Sequence, residues 1–196
     1  MQRAIAGFLL VLTAPLWLSI AIGIRISDGG PVFYHADRVG LRGRRFSVWK
    51  FRTMRRGNGS RIAAPLDARV FPFGALLRKL RFDELPQLVN ILRGEMAFVG
   101  PRPEDPWFVE HAYTAADRET LEVLPGLTSP GTLYYVTHSE RFLSNTEPEA
   151  SYLAGPLREK LARDREYVAR ATVRGDFRLL AQTAWVLVRL AFGRHA

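Results

Sequence analysis

A long run of apolar positions is the first pattern along the chain. Residues 5–26 read IAGFLLVLTAPLWLSIAIGIRI, 22 residues whose one charge is Arg25. A straight helix of this length reaches roughly 33 Å, enough to cross a hydrocarbon core of about 30 Å. No small-x-small cleavage site follows, so the run favours a membrane helix over a signal peptide. Pro15, in its middle, removes one helical hydrogen bond, and we expect the helix to bend or break there.

Two short stretches further along have the composition of β-strands. Residues 32–34 and 46–51 are rich in aromatic and branched side chains, and the glycine-containing segment 39–43 joins them, which predicts a β-hairpin. Because side chains alternate along a strand, Lys50 and Arg52 share one face. This spacing fits a solvated basic edge strand as well as it fits a site that holds an anion.

A helical period appears around residues 85–92, where every third or fourth position is apolar. This spacing predicts a helix with Asp83 as its N-cap and Gly94 just past its end. Segment 55–67 reads as a mobile loop, and 127–148 reads as irregular. Further helices are expected over residues 74–80, 107–124, 157–171 and 177–192.

These patterns together predict an α+β fold that is mainly helical, with one small β-hairpin. We divide the chain into a membrane helix, residues 1–26, and a folded domain, residues 27–196. The helix at 177–192 is amphipathic, which suits either a membrane surface or a core position.

Composition and charge narrow the chemistry. The chain contains no cysteine, which excludes disulfides, zinc-thiolate sites, iron–sulfur clusters and cysteine nucleophiles. Its four histidines are scattered, without metal-ligand spacing. The formal net charge is +9, and residues 25–82 alone hold 14 Lys+Arg against 3 Asp+Glu. We therefore expect an anionic partner or surface.

Two adjacent acids, Asp83 and Glu84, lie close to cations. Arg78, Lys79 and Arg81 precede Asp83 by two to five residues. We expect these cations to keep the carboxylate ionised, which suits a nucleophile or a metal ligand rather than a general acid. Mg²⁺ binds one or two carboxylates together with phosphate oxygens, so Mg²⁺ and an anionic phosphate are candidate partners of these acids. Acid pairs at helix starts commonly only cap the helix, and that interpretation stays open.

Three longer strings carry a family resemblance. They read GPVFYHADRVGLRGRRFSVWKFRTM (30–54), DARVFPFGALLRKLRFDELPQLVNILRGEMAFVGPRPE (67–104) and LPGLT (124–128). With the apolar run before them, they resemble the bacterial sugar transferases, the monotopic polyprenyl-phosphate phosphoglycosyl transferases. The resemblance covers roughly residues 1–128, with a weaker trace at 164–179.

The resemblance implies that a sugar 1-phosphate moves from a UDP-sugar to a polyprenyl phosphate such as undecaprenyl phosphate, with release of UMP. Asp83 would attack the β-phosphorus and form a phospho-sugar-aspartate, and Glu84 would bind Mg²⁺ together with Asp83. The implied substrate-binding residues are Lys50 and Arg78 at the phosphates, Arg52, and the turn Pro101, Arg102 and Pro103 at the uridine, with Arg102 against the base.

The same resemblance implies a location. A re-entrant helix broken at Pro15 would enter and leave on the cytoplasmic face of the bacterial inner membrane, with amphipathic helices at the interface and anionic lipids as partners. Residues 27–196 would form a cytoplasmic catalytic domain that performs the first membrane step of glycoconjugate or exopolysaccharide assembly. No nucleic acid is expected as a partner, and a homo-oligomer stays open.

Two departures from the family pattern and two competing hypotheses remain. Ala14 precedes Pro15 where the family often has serine, and the run from Ser129 to Tyr135 replaces the usual Gly-Leu-Ala-Gln-Val type of sequence, which leaves specificity open. A non-catalytic, membrane-anchored basic protein would explain the cations interleaved with aromatic residues at 44–52. A Mg²⁺-dependent phosphohydrolase could use the same two acids.

Overall fold

The computed structural model describes residues 1–57, 59–64, 66–138 and 143–191. Three short 3₁₀ turns connect the main elements, at Leu41–Gly43, Phe82–Glu84 and Asp117–Glu122. The α-helices and β-strands are α1 (Gln2–Asp28), β1 (Phe33–Val39), β2 (Arg45–Phe51), α2 (Pro72–Lys79), α3 (Gln87–Arg93), β3 (Ala97–Val99), α4 (Pro106–Ala112), β4 (Gly126–Thr128), α5 (Pro130–His138), α6 (Pro148–Ala154), α7 (Pro156–Arg170) and α8 (Val173–Ala191). The prediction of a mainly helical fold with a small β-hairpin is confirmed.

The hairpin is longer than its predicted strands. β1 and β2 pair antiparallel from Phe33 opposite Phe51 to Val39 opposite Arg45. Its connection turns through two residues with positive φ, Arg42 at 54° and Gly43 at 74°. A second pair, β3 with β4, is parallel and was not predicted. Three residues in each strand are too few to show a period of two in the sequence.

Helix α1 continues through Pro15 without interruption, so the expected break is not seen. The proline removes one hydrogen bond, but packing on both sides of it keeps the helix together. By length and composition α1 could cross a membrane. Its large exposed apolar side chains are Ile5, Phe8, Val11, Leu12, Leu18, Ile22 and Ile26.

Both halves of α1 pack on the rest of the chain. In the first half, Ala6 is buried in a cluster with Val48, Leu88, Ile91 and Met96, which joins α1 to α3 and β2. In the second half, α1 contributes two buried residues to another cluster, whose members are Ile20, Ile24, Phe51, Phe71 and Leu77. The two ends of the helix therefore contact the same folded body.

The predicted helices at 74–80 and 157–171 are confirmed as α2 and α7. The predicted helix at 177–192 is α8, which begins earlier, at Val173; residue 192 lies outside the described residues. The described residues of segment 55–67 form no helix or strand.

Two sequence predictions are wrong. The single helix expected over 107–124 is divided, because Tyr113 is extended after α4 and Asp117 accepts hydrogen bonds from the backbone N–H and the hydroxyl of Thr114. Residues 127–148 are not all irregular, because α5 begins at Pro130. There Ser129 Oγ accepts from the Thr132 N–H at 2.9 Å, as an N-cap side chain does.

A third cluster forms the far side of the molecule. Phe108 of α4, Tyr152 of α6 and two leucines of α7, Leu157 and Leu161, are buried together. Beside them the buried Lys160 forms an ion pair with Glu104, and the Tyr152 hydroxyl donates to the same carboxylate at 2.7 Å. This cluster supports the wall of the cavity described next.

Candidate active site

A cavity of about 850 Å³ lies between the hairpin, the start of α3 and the cluster around α7. Glu84 and Pro101 are not among the residues that line it. The Pro101 carbonyl instead accepts from the Gly126 N–H at 2.9 Å, between β3 and β4. The cavity does bring together six of the predicted site residues, Lys50, Arg52, Arg78, Asp83, Arg102 and Pro103.

Asp83 lies within the 3₁₀ turn Phe82–Glu84, so its prediction as an N-cap is wrong. The turn is separate from α3, whose N-cap is Pro86, and the N-cap of the turn is Arg81. Arg81 has a φ of 57°, a left-handed conformation that costs an arginine about 1 kcal/mol. This kink between α2 and α3 directs Asp83 into the cavity.

The Asp83 carboxyl group is buried, with only 8% of the residue exposed. Its Oδ1 atom has no hydrogen-bond partner among the described residues. Burial raises the pKa of Asp83, and the neighbouring charge of Glu84 raises it further, against the opposing effect of Lys50, Arg81 and Arg78. From the sequence we expected the nearby cations to keep the Asp83 carboxylate ionised. In the structure the pKa of Asp83 is raised instead, so for this residue the expectation is wrong.

Glu84 is the acid that the cations hold ionised. Arg102 binds both of its oxygens, with Nη1 3.0 Å from Oε2 and Nη2 against Oε1. Lys50 Nζ and Arg81 Nη1 are each 3.9 Å from Oε1. Burial would raise the pKa of Glu84, but these cations, Arg102 first, lower it to about 2. The carboxylate of Glu84 thus neutralises charge behind the cavity wall.

Lys50 projects from β2, opposite Tyr34, into the cavity. Burial lowers the pKa of Lys50 to about 8, although Glu84 and Asp83 oppose this shift. The Lys50 side chain therefore loses its positive charge at mildly alkaline pH. A negatively charged ligand in the cavity would favour its charged form.

Two arginines that line the cavity, Arg52 and Arg78, each have a side-chain nitrogen without a hydrogen-bond partner among the described residues. Arg52 donates from Nη1 to Asp28 at 2.5 Å and from Nε to the Pro31 carbonyl at 2.7 Å, which leaves Nη2 without a partner among the described residues. Arg78 has a buried Nη1 that is also without a partner in this part of the chain. Both therefore present N–H donors toward an anion.

Sequence reasoning missed two buried amides on α3, Gln87 and Asn90. Asn90 fixes α3 to β2, since it accepts from the Trp49 N–H at 3.0 Å and donates to the Ser47 carbonyl at 2.8 Å. Gln87 lines the cavity four residues after Asp83. Position 87 lies outside the apolar period formed by positions 85, 88, 89 and 92, so the sequence pattern did not mark it.

The fit of Mg²⁺ rests mainly on Asp83. Within the described ranges, no group of three or more His, Asp or Glu side chains could hold a metal ion. Mg²⁺ is commonly held by one or two carboxylates and by substrate phosphates, so the unpartnered Asp83 oxygen and an anionic substrate would suffice. Glu84 fits as a second ligand only if it releases Arg102.

Comparisons with known proteins relate the chain to one family. The family profile described as "Bacterial sugar transferase" matches residues 1–190. The chain is 34% identical over 177 residues to a UDP-glucose:undecaprenyl-phosphate glucose-1-phosphate transferase of Xanthomonas campestris pv. campestris, an alignment that covers 87% of this chain and 34% of the relative.

Two further relatives give shorter alignments. The exopolysaccharide production protein ExoY of Sinorhizobium fredii is 40% identical over 143 residues, 63% of this chain and 62% of the relative. A UDP-N-acetylgalactosamine-undecaprenyl-phosphate N-acetylgalactosaminephosphotransferase of Aeromonas hydrophila is 43% identical over 102 residues, 50% of this chain and 24% of the relative. The chain thus spans between about a quarter and three fifths of the length of these relatives.

Proposed function

The chain belongs to the bacterial sugar transferase family, and from this premise we propose that it transfers a sugar 1-phosphate from a UDP-sugar to a polyprenyl phosphate such as undecaprenyl phosphate, with release of UMP. The observation that carries the proposal is Asp83, whose buried, unpartnered oxygen faces a cavity lined by cations. The names of the relatives support the same donor and acceptor classes.

Asp83 acts as the nucleophile in the first step. A carboxylate oxygen forms a bond to the β-phosphorus of the donor, and the bond from that phosphorus to the bridging oxygen breaks. UMP leaves with the bridging oxygen and the electron pair. The raised pKa of Asp83 makes the carboxylate more basic and hence a better nucleophile once it is ionised.

The cations of the cavity carry most of the stabilisation. In phosphoryl transfer, positioning and charge neutralisation supply most of the rate. Lys50 and the free N–H donors of Arg78 and Arg52 would bind the diphosphate oxygens. Mg²⁺, held by Asp83 and the donor phosphates, would neutralise further charge on the diphosphate.

In the second step the acceptor occupies the position that UMP has left. An oxygen of the polyprenyl phosphate attacks the same phosphorus, the bond to Asp83 breaks, and the free carboxylate is regenerated. The covalent intermediate allows a water-soluble donor and a lipid acceptor to use one cavity in turn.

The apolar helix α1 supports a membrane location for this chemistry, because the acceptor is a lipid. We propose that α1 enters and leaves the membrane on the cytoplasmic side. Its two ends contact the same folded body, since Gln2 accepts from the Phe98 N–H and Asp28 binds Arg52. The exposed apolar side chains of α8, among them Phe177 and Trp185, would lie at the same interface, close to anionic lipids.

The test is an assay of the purified full chain in detergent with undecaprenyl phosphate, Mg²⁺ and a panel of four donors: UDP-glucose, UDP-galactose, UDP-N-acetylglucosamine and UDP-N-acetylgalactosamine. We expect UMP release with at least one donor and a polyprenyl diphosphate-sugar as the product. UMP together with free sugar phosphate in the absence of lipid would instead establish a phosphohydrolase. No UMP from any donor would contradict the proposal.

A further inference from the structure

Gln87 is a buried amide that the protein itself does not satisfy. Only 1% of the residue is exposed, and neither Nε2 nor Oε1 has a hydrogen-bond partner among the described residues. Leaving a donor and an acceptor buried and unpaired destabilises a fold, and native structures rarely do so without a reason. A ligand that pairs with both atoms is such a reason.

Asn90, on the same helix, provides a direct comparison. It is equally buried, yet its amide accepts from the Trp49 N–H and donates to Ser47 and to Glu95, the last at 2.7 Å. Helix α3 is therefore able to pair a buried amide completely. Gln87 differs because it is among the residues that line the cavity, whereas the Asn90 amide bonds to β2.

The position of Gln87 in the cavity places it near the part of the UDP-sugar donor that would react with Asp83. It lies four residues after Asp83, and both residues line the same cavity. In the proposed reaction the phosphorus that Asp83 attacks also carries the sugar. The sugar ring is therefore the part of the donor attached directly to the reacting group, and its hydroxyls lie within a few ångströms of that phosphorus.

The chemistry of the amide selects its partner. Phosphate oxygens only accept hydrogen bonds, so a phosphate would pair with Nε2 and leave the Oε1 atom facing negative charge. Lys50 and Arg78 already supply donors for phosphate. A sugar hydroxyl both donates and accepts, and neighbouring hydroxyls can pair with the two ends of one amide.

We infer that Gln87 recognises the sugar of the donor, with Nε2 donating to one of its hydroxyl groups and Oε1 accepting from another. The inference rests on the proposed function and adds a specificity-determining contact to it. A site built to pair with a hydroxyl discriminates strongly against ligands that leave its polar groups unpaired.

The test compares Gln87→Met with Asn90→Leu in the full chain. The kinetic measurements use the donor of the four-member panel that the wild type accepts, and they give kcat and KM. We also measure the Kd of UDP and the thermal unfolding midpoint of each protein. We expect Gln87→Met to lower kcat/KM at least tenfold, mostly through KM, and to change the Kd of UDP less than threefold. Its midpoint should equal or exceed that of the wild type, because an unpaired buried amide is removed, whereas Asn90→Leu should lower it.

Two results would overturn the inference. If Gln87→Met lowers the midpoint as Asn90→Leu does and retains kcat/KM, the amide is structural. If it weakens UDP as much as the complete donor, the amide contacts the phosphates or the base. Failure of the proposed function is a separate result, because it is the absence of UMP release by the wild type with every donor. The unfolding midpoints and the affinities for UDP and UDP-sugars can be measured in that case too.

Discussion

Arg102 covers both carboxylate oxygens of Glu84, the residue directly after the proposed nucleophile. The pair removes one negative charge from the neighbourhood of the cavity. Without Arg102, Glu84 would repel the diphosphate of the donor, and the cations left within 4 Å of it among the described residues would be Lys50 and Arg81, each at 3.9 Å. A role of Arg102 against the uracil base would add to this electrostatic role.

Arg102→Met should therefore weaken binding of UDP about tenfold or more, since Glu84 keeps its charge and loses its main partner. The double variant Glu84→Gln, Arg102→Met removes both charges and should restore most of the UDP affinity. Calorimetric titration with UDP checks both variants. UDP affinity that stays low in the double variant would show that Arg102 contacts the nucleotide directly and that its pairing with Glu84 contributes little.

Asp83→Asn should abolish UMP release and the covalent adduct, because an amide cannot attack phosphorus as a carboxylate does. The fold should be retained, and the unfolding midpoint should not fall, since burial penalises the charge that the substitution removes. Mass spectrometry of protein incubated with the donor alone detects the adduct. Asp37→Asn, at an exposed position of β1, is the matched control and should leave turnover intact. Turnover by Asp83→Asn would refute the mechanism.

The pH dependence should report Lys50. Because its pKa is lowered to about 8, the free protein loses this positive charge as pH rises through 8, and kcat/KM should fall there. Arginine stays charged, so Lys50→Arg should remove this alkaline decline even if it lowers the plateau. Lys79→Arg, at an exposed position at the end of α2, is the control and should keep the decline. An identical alkaline decline in Lys50→Arg would assign it to another group.

The buried pair of Glu104 and Lys160 should behave as a structural unit. Lys160→Met leaves the buried Glu104 charge with the Tyr152 hydroxyl but without its ion-pair partner, and should cost about 3 kcal/mol or more of stability. Adding Glu104→Gln removes that charge and should recover part of the loss. Urea unfolding of the wild type, the two single variants and the double variant in detergent gives the coupling. Strictly additive losses would show that the two side chains do not stabilise each other.

The topology of α1 can be determined by labelling, because the chain has no native cysteine. Gln2→Cys and Ser27→Cys place single thiols near the two ends of the helix. We expect both to be protected from an impermeant reagent in intact cells, as a re-entrant helix requires, and both to react after lysis. Labelling of one of the two in intact cells would show that α1 spans the membrane.

Much of the site could be predicted because its residues lie in one short string. Arg78 and Asp83 are close in sequence, and the alternation of β2 directed attention to Lys50. In the structure all three residues line one cavity. Gln87 was missed because its unpaired state is a property of its surroundings, which no local pattern encodes.

Contacts between distant residues account for the remaining errors. Glu104 and Lys160 are 56 positions apart, and nothing near either of them predicts the pair. The segment that contains α5 was predicted to be irregular, but the start of the helix is held by Ser129, which accepts from the Thr132 N–H, and by Asp164, 33 positions from Gly131, which accepts from the Gly131 N–H at 2.8 Å. Of the bend or break expected at Pro15, a break does not occur, and partners on α2, α3 and the hairpin hold both halves of α1.

The packing of both halves of α1 on the rest of the chain also constrains how the protein is made. During synthesis α1 leaves the ribosome before α3, and the partners of Ala6 extend to Met96. Until those residues have emerged, the protein partners that bury Ala6 are not yet available to the helix. With α1 in the membrane, as proposed, insertion would precede completion of the domain, which would then fold against a helix already in the bilayer. Exchanging α1 for an unrelated anchor would restore attachment to the membrane without restoring the surface on which the rest of the chain folds.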